Sequence, residues 1–250
     1  MCQRLWVDQV VTYPLCSEVS LAVPIGTKER CWDLHDVLEY ESHLIAAFLL
    51  VLDSFSEVTL FDCGADIGLF SSVVCSRSDR ISRVLAFEPN PKVQATFQSN
   101  IKRLPNGEAH AIALSSFEGF GRLERPNYAN GDHGQYLARA DSGIPVATID
   151  SFNILGGDVA IKLDVEGGEL DVLRGARKTI HHASHCMLTL EAHPEVYKRT
   201  GVGPADCMIF LESIRPFRFV IAETGRRVNT SDDIIDSDRV LNLLAIAADH

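Results

Sequence analysis

The chain has no Cys-x-x-Cys pair, no cluster of lysine and arginine, no apolar run that could cross a bilayer, and no internal repeat. Each absence removes a class of protein. The seven cysteines, Cys2, Cys16, Cys31, Cys63, Cys75, Cys186 and Cys207, are odd in number and scattered. That argues against a disulfide frame or a zinc site and for a reducing compartment. Lysine and arginine total 23 against 34 acidic residues, for a net charge of −11. Such a surface repels a phosphate backbone, so no nucleic-acid partner is expected. The longest apolar stretch, Leu44 to Leu52, falls far short of the roughly 20 residues of a membrane helix, so no membrane span is expected. Arg4 and Asp8 interrupt the N-terminal residues, which carry no apolar core of a secretory signal. The expectation is a cytoplasmic protein. The chain also lacks the G-x-G-x-x-G fingerprint of pyrophosphate binders. What it does have is 250 residues, 46% of them hydrophobic, enough for a sizeable core.

Hydrophobic periodicity organises that material. Residues 33–53 carry apolar side chains at helical spacing. Short apolar runs predict strands at 58–61, 84–87, 109–114, 146–149, 159–165, 187–191, 217–222 and 240–247. Helices are expected from Leu69, from Pro91 to about residue 104, from the end of the 159–165 strand through Ile180, and from Pro204. Val19 to Val23 reads as a short strand stopped by Pro24-Ile25-Gly26. Residues 115–142 are punctuated by Gly119, Gly121, Gly131, Gly134 and Pro126 and read as a hairpin plus a mobile loop, where binding contacts are often placed. Strands alternating with helices imply a doubly wound α/β sheet with helices on both faces. The last two strands have no crossover helix between them, so one strand near that edge runs antiparallel. The expected layout is an N-terminal extension, 1–35, packing on a single domain, 36–250, with a hairpin insertion at about 115–145.

Two segments carry chemistry. In Ile161-Lys162-Leu163-Asp164-Val165-Glu166-Gly167-Gly168-Glu169, alternation puts Ile161, Leu163 and Val165 on one face and Lys162, Asp164 and Glu166 on the other. Charges near the carboxyl end of a buried strand are costly unless paired, hydrated or used on a ligand. Open α/β sheets bind ligands at that end. In Phe61-Asp62-Cys63-Gly64-Ala65-Asp66-Ile67-Gly68, the two glycines allow a tight turn and close backbone approach. Asp62 before the turn would repel a pyrophosphate and suits a cationic ligand with an ammonium group. Glu88, twenty residues past Gly68, ends the next strand, where a carboxylate can accept two ribose hydroxyls. These features disfavour a nucleotide-dependent oxidoreductase, the first alternative. A non-catalytic module that keeps the fold as a binding scaffold is the second.

Those two segments, with Val172-Leu173-Arg174-Gly175-Ala176 and the shorter matches Ala113-Leu114-Ser115, Thr148-Ile149-Asp150 and Leu190-Glu191-Ala192-His193, resemble the FkbM family of S-adenosylmethionine (SAM)-dependent methyltransferases over roughly residues 40–247. Asp66 stands where that family often has Asn, and Cys63 where a branched apolar residue is usual. The resemblance implies a Rossmann-like class I methyltransferase fold, a mostly parallel seven-stranded sheet with one antiparallel strand in its edge region. It also implies SAM as cofactor and O-methylation of a hydroxyl on a small molecule, sugar or glycan. Position then suggests roles. Asp62, Gly64, Ala65 and Gly68 form the floor for the methionine part, Glu88 holds the ribose and Ser115 lies at the adenine edge. Asp164 meets the methionine amino group or the acceptor, and Tyr40-Glu41 closes over the cofactor. His193 is the candidate general base with Glu191 as its orienter; its other reading is a cap on the turn before Pro194. Asp164, Glu166, Glu191 and His193 could instead hold a divalent cation, against the favoured reading of cofactor contacts and ion pairs with Lys162 and no metal. Glu169 is read as stabilising its helix N-terminus, and His181, His182 and His185 as helix-end residues.

Overall fold

A computed structural model describes residues 9–25, 33–104, 106–125, 135–228 and 240–248 and shows strands and helices in alternation. A hairpin of β1 (Gln9–Pro14) and β2 (Ser20–Ile25) precedes α1 (Leu34–Glu39) and α2 (Ser42–Leu52). β3 (Val58–Cys63), α3 (Leu69–Arg77), β4 (Ile81–Phe87), α4 (Gln94–Ile101) and β5 (Gly107–His110) follow. β6 (Ala113–Leu114), β7 (Gly119–Glu124), β8 (Tyr136–Ala140) and β9 (Ile144–Ala147) make a second, four-stranded sheet. The chain returns to the main sheet with β10 (Asp158–Leu163), α5 (Glu169–Arg174), α6 (Arg177–His182) and β11 (Cys186–Ala192). It ends with α7 (Pro194–Thr200), α8 (Pro204–Glu212), β12 (Phe217–Ile221), β13 (Arg227–Val228) and β14 (Leu241–Ala247).

The main sheet has the order β13-β12-β14-β11-β10-β3-β4-β5. Pairing is parallel from β11 through β5, and β14 runs antiparallel to both β11 and β12. The expected reversed strand is therefore present, inserted one place inside the β12–β13 edge. The two-residue β13 makes the count eight rather than seven. Strand alternation feeds two cores. Phe61, Ile161 and Leu188 pack with Val172, Leu173, Ile180 and Leu211 of α5, α6 and α8. Their neighbours Leu60, Ala160 and Met187 pack with Ile45, Phe48, Val73 and Phe97 of α2, α3 and α4. Successive residues of one strand thus face opposite layers, which is why these strands are nearly continuously apolar.

Several boundaries differ from the sequence reading, each for a local reason. Residues 33–53 form two helices, because Tyr40 is extended (ψ 120°) and Glu41 is left-handed (φ 44°). Residues 109–114 divide between the two sheets, and α4 begins at Gln94, after the turn containing Pro91. α7, absent from the sequence reading, begins directly at Pro194. At the N-terminus, β2 lies on α4. Asn100 Oδ1 accepts from Ala22 N at 2.8 Å, while its Nδ2 donates to Ala22 O at 2.8 Å and to Ile67 O at 2.7 Å. That single buried amide ties the hairpin to the glycine loop. The hairpin expected within 115–142 is β7–β8; its Pro126, Gly131 and Gly134 lie outside the described residues, as do Gly26, Cys2, Cys31, Arg4 and Asp8. No helix among the described residues is long and apolar enough to cross a membrane.

Candidate active site

The tips of β3, β4 and β10 meet at one cavity of about 300 Å³, within the size range of small-ligand sites. Backbone hydrogen bonds lock the three tips together. Gly64 N and Ala65 N both donate to Phe87 O at 3.0 Å, and Asp164 N donates to Cys63 O at 3.0 Å. Gly64 has φ +79°, and a Cβ on it would lie 1.8 Å from Asp164 O. Only glycine lets the β3 and β10 tips approach this closely. Glu88 leaves β4 into the cavity with Oε2 accepting from Asp66 N at 2.9 Å and Oε1 from Asn90 N at 2.7 Å. Burial pushes its carboxyl up to about 7, against the pull of those two N–H groups. A carboxylate has about four acceptor positions, so both oxygens retain capacity for hydroxyls. Ser115 and Asp164 line the same cavity, with Asp66, Glu166 and Asp171 adding acidic character. The lining thus suits a cationic ligand that carries a diol.

Beneath the cavity lies a buried charge cluster. Lys162 and Asp62 are register partners on β10 and β3, on the face that α2 and α3 cover. Lys162 Nζ donates to Asp164 Oδ2 at 3.0 Å and to Gly64 O at 3.1 Å, and stands 3.8 Å from Asp62 Oδ1. Burial alone would lower the lysine's pKa; Asp164 and Asp62, then Tyr40 and Glu41, outweigh it and hold the value well above normal. Ser71 Oγ donates to Asp62 Oδ2 at 2.6 Å. Burial raises Asp62, with Lys162 opposing. Lys162 therefore pins the β10 tip to the glycine loop.

The expected site residues divide by depth. Gly64, Glu88, Ser115 and Asp164 line the cavity. Asp62 and Gly68 do not: Asp62 is fully buried under the loop, and Gly68 is the left-handed N-cap of α3. Ala65 is buried and Glu41 packs towards Lys162. Glu41 Oε2 is buried without a hydrogen-bond partner, and burial raises its carboxyl, with Lys162 opposing. Glu191 and His193 border a separate cavity of about 20 Å³. His193 Nδ1 accepts from Glu195 N at 3.2 Å and caps α7. That bond puts the ring proton of neutral His193 on Nε2, leaving neither nitrogen free to take another without breaking the cap. The geometry shows the capping contact of the alternative reading. Burial, and then Asp164 and Glu166, push Glu191 up to about 8. Glu169 Oε1 accepts from Gly167 N at 3.0 Å and Val165 N at 3.3 Å, bracing the turn before α5. His185 Nδ1 pairs with Asp158 at 2.7 Å. Among the described residues no three His, Cys, Asp or Glu side chains are arranged to hold a metal ion. Sequence reasoning missed the outer wall, where Leu123 of β7 and Leu137 and Arg139 of β8 face the cavity. Period-two spacing of Gln135, Leu137 and Arg139 was its only local signal.

Comparison with known proteins agrees with this architecture. The Methyltransferase FkbM domain profile matches residues 62–222, which begin at Asp62 and include the tips of β3, β4 and β10. Hexuronic acid methyltransferase AglP of Haloferax volcanii is 28% identical over 203 residues, covering 77% of each chain. A crystal structure of methyltransferase FkbM from Methylobacillus flagellatus KT aligns with a TM-score of 0.50 and 22% identity over 76% of this chain; the match covers 43% of that longer protein. The fold is that of class I methyltransferases. With the domain profile covering well over half of its length, this chain belongs to the FkbM family of methyltransferases.

Proposed function

We propose that the chain transfers the methyl group of SAM to a hydroxyl of a sugar or small-molecule acceptor. The observation that carries this reading is Glu88, a buried carboxylate held by two backbone N–H groups at the tip of β4 and aimed into an acid-lined cavity. The likeness to a hexuronic acid methyltransferase supports a sugar acceptor. In this reading Glu88 accepts the ribose hydroxyls, Gly64 and Asp164 border the methionine part and Ser115 borders the adenine. When bound, SAM supplies a sulfonium methyl. The acceptor oxygen would take that methyl, the C–S electron pair remaining on sulfur. The chain's part is alignment and exclusion of water. The hydroxyl proton leaves to a carboxylate at the β10 tip, where Asp164 and Glu166 line the cavity. In this reading residues 36–250 act as one catalytic unit with an insertion at about 115–145, and the hairpin of residues 9–25 packs on it through α4. The cysteines Cys16, Cys63, Cys75, Cys186 and Cys207 are all free, which supports a cytoplasmic setting.

Titration calorimetry with SAM, S-adenosylhomocysteine (SAH) and NAD tests the reading, followed by transfer of labelled methyl to a sugar panel. SAM and SAH are expected to bind and NAD to give no heat. Binding of NAD without SAM would overturn the assignment.

A further inference from the structure

The cavity has two electrostatic poles, and only the acidic one has a use so far. Its inner side carries Asp66, Glu88, Asp164, Glu166 and Asp171. Its outer wall is the β7–β8 hairpin. Leu137 and Arg139 lie on one face of β8 and, with Gln135 just before it, line the cavity, and Leu123 faces Leu137 across the hairpin register. Among the described residues, Arg139 is the only lysine, arginine or histidine lining the cavity. Its guanidinium rests over the Phe117 ring, 4.5 Å from the centroid, and forms no ion pair among the described residues. Of the lining carboxylates, Asp171 is already engaged, pairing with Arg174 at 2.8 Å.

A guanidinium stacked on a ring keeps its N–H edge available, and that edge matches a carboxylate in a two-point fork. The acids explain a cationic donor. They would repel an anionic acceptor, as would the chain's net charge of −11, unless a cation were built into the acceptor side. We propose that the outer wall is the acceptor subsite, that it takes a sugar acid, and that Arg139 holds the sugar's carboxylate while Phe117 supports the guanidinium. This assignment rests on the methyl-transfer reading of the same cavity.

The test titrates SAH-loaded protein with 4-nitrophenyl β-D-glucuronide, the matching galacturonide and 4-nitrophenyl β-D-glucoside, which differs from the glucuronide only at the carboxylate. The wild type is expected to bind at least one uronide about tenfold to a hundredfold more tightly than the glucoside, the range of a charge-assisted pair. Arg139→Gln erases that preference, Arg139→Lys keeps part of it, and SAH affinity stays within about twofold in both. The assignment is overturned if the wild type shows no preference or binds none of the glycosides. It is also overturned if the preference survives Arg139→Gln, or if SAH affinity collapses in that variant, which would make Arg139 a cofactor contact. Failure of the wild type to bind SAH would sink the methyl-transfer reading itself. The uronide preference, measured on the cofactor-free protein, would still judge Arg139.

Discussion

Glu88→Gln separates the charge of this side chain from its shape. The carboxylate accepts from Asp66 N and Asn90 N, one bond per oxygen. Glutamine keeps one acceptor and turns an NH2 group towards a backbone donor. Near pH 5 the buried carboxyl is protonated, so the bond lost is a neutral one and costs about 1 kcal/mol. A second effect has the opposite sign. Burial raises the carboxyl from 4.5 to about 7, and at 1.36 kcal/mol per pH unit that climb corresponds to roughly 3 kcal/mol. Between those two values the native state binds the proton more tightly than the unfolded chain does. Stability of the cofactor-free wild type therefore falls as pH rises through that window and levels off above about 7. Glutamine has no such loss. Urea denaturation is expected to find the variant weaker by about 1 kcal/mol or less near pH 5, where the wild-type carboxyl is protonated, with the order reversing near pH 8. SAM binding runs the other way. Only the ionised carboxylate can accept from both ribose hydroxyls while holding both N–H groups. Wild-type affinity should improve as pH rises through about 7, and the variant should lie flat, about tenfold to a hundredfold weaker near pH 8. A variant whose stability and SAM affinity follow the wild-type pH slopes would refute the reasoning, because Glu88 would then be neither titrating nor touching the ligand.

Two further substitutions probe the layers beneath and beside the cavity. Lys162→Met leaves Asp62 buried with no cation and should cost about 3 kcal/mol or more in urea denaturation; adding Asp62→Leu should restore most of it. A loss under about 1 kcal/mol in the single variant would show that the cluster is not held by that pair. His193→Ala removes the α7 cap and should cost about 1 kcal/mol while leaving the methyl-transfer rate within about twofold, with His193→Asn recovering the stability. A rate loss of a hundredfold or more in a folded His193→Ala protein would return that histidine to the chemistry.

The layered sheet and the place of the site were legible because both are written in local pattern. Period-two apolar runs separated by helical spacing give a doubly wound sheet, and ligands collect at its carboxyl edge. Gly64 and Glu88 could be read for the same reason: a glycine at a tight approach and a carboxylate at a strand tip are constrained by their immediate neighbours. Asp62 could not be placed, because its depth is decided by Lys162, one hundred residues later in the chain and opposite it only once β3 and β10 pair in register. Glu41 was named from the sequence as closing over the cofactor, but not its inward aim, since the left-handed turn that sets it interrupts a run with continuous helical periodicity. His193 turns on which atom its ring nitrogen faces, and that nitrogen accepts from Glu195 N, a contact that its position in the sequence does not announce. Arg139 was hidden because alternation shows which residues share a face of β8, not that the face closes over a cavity built by β3, β4 and β10.

These misses share one cause, and it orders the charges of the site. A charge whose partner is distant in sequence was read too near the ligand, as with Asp62. A charge whose use depends on sheet packing was not read at all, as with Arg139. Sorted by depth, the ionisable groups form two tiers. The lower tier, Lys162 with Asp62 and Asp164, is paired within the protein, although Asp62 Oδ1 lacks a hydrogen-bond partner, and it fixes the separation of the β3 and β10 tips. The upper tier, Glu88 and Arg139, is satisfied only in part by the chain, by two N–H groups in one case and an aromatic face in the other. Asp164 belongs to both, since it pairs with Lys162 below and lines the cavity above. Perturbing the lower tier should therefore change stability and cofactor binding together. Perturbing Arg139 should change acceptor choice alone, because no hydrogen bond or ion pair among the described residues ties that guanidinium to the frame.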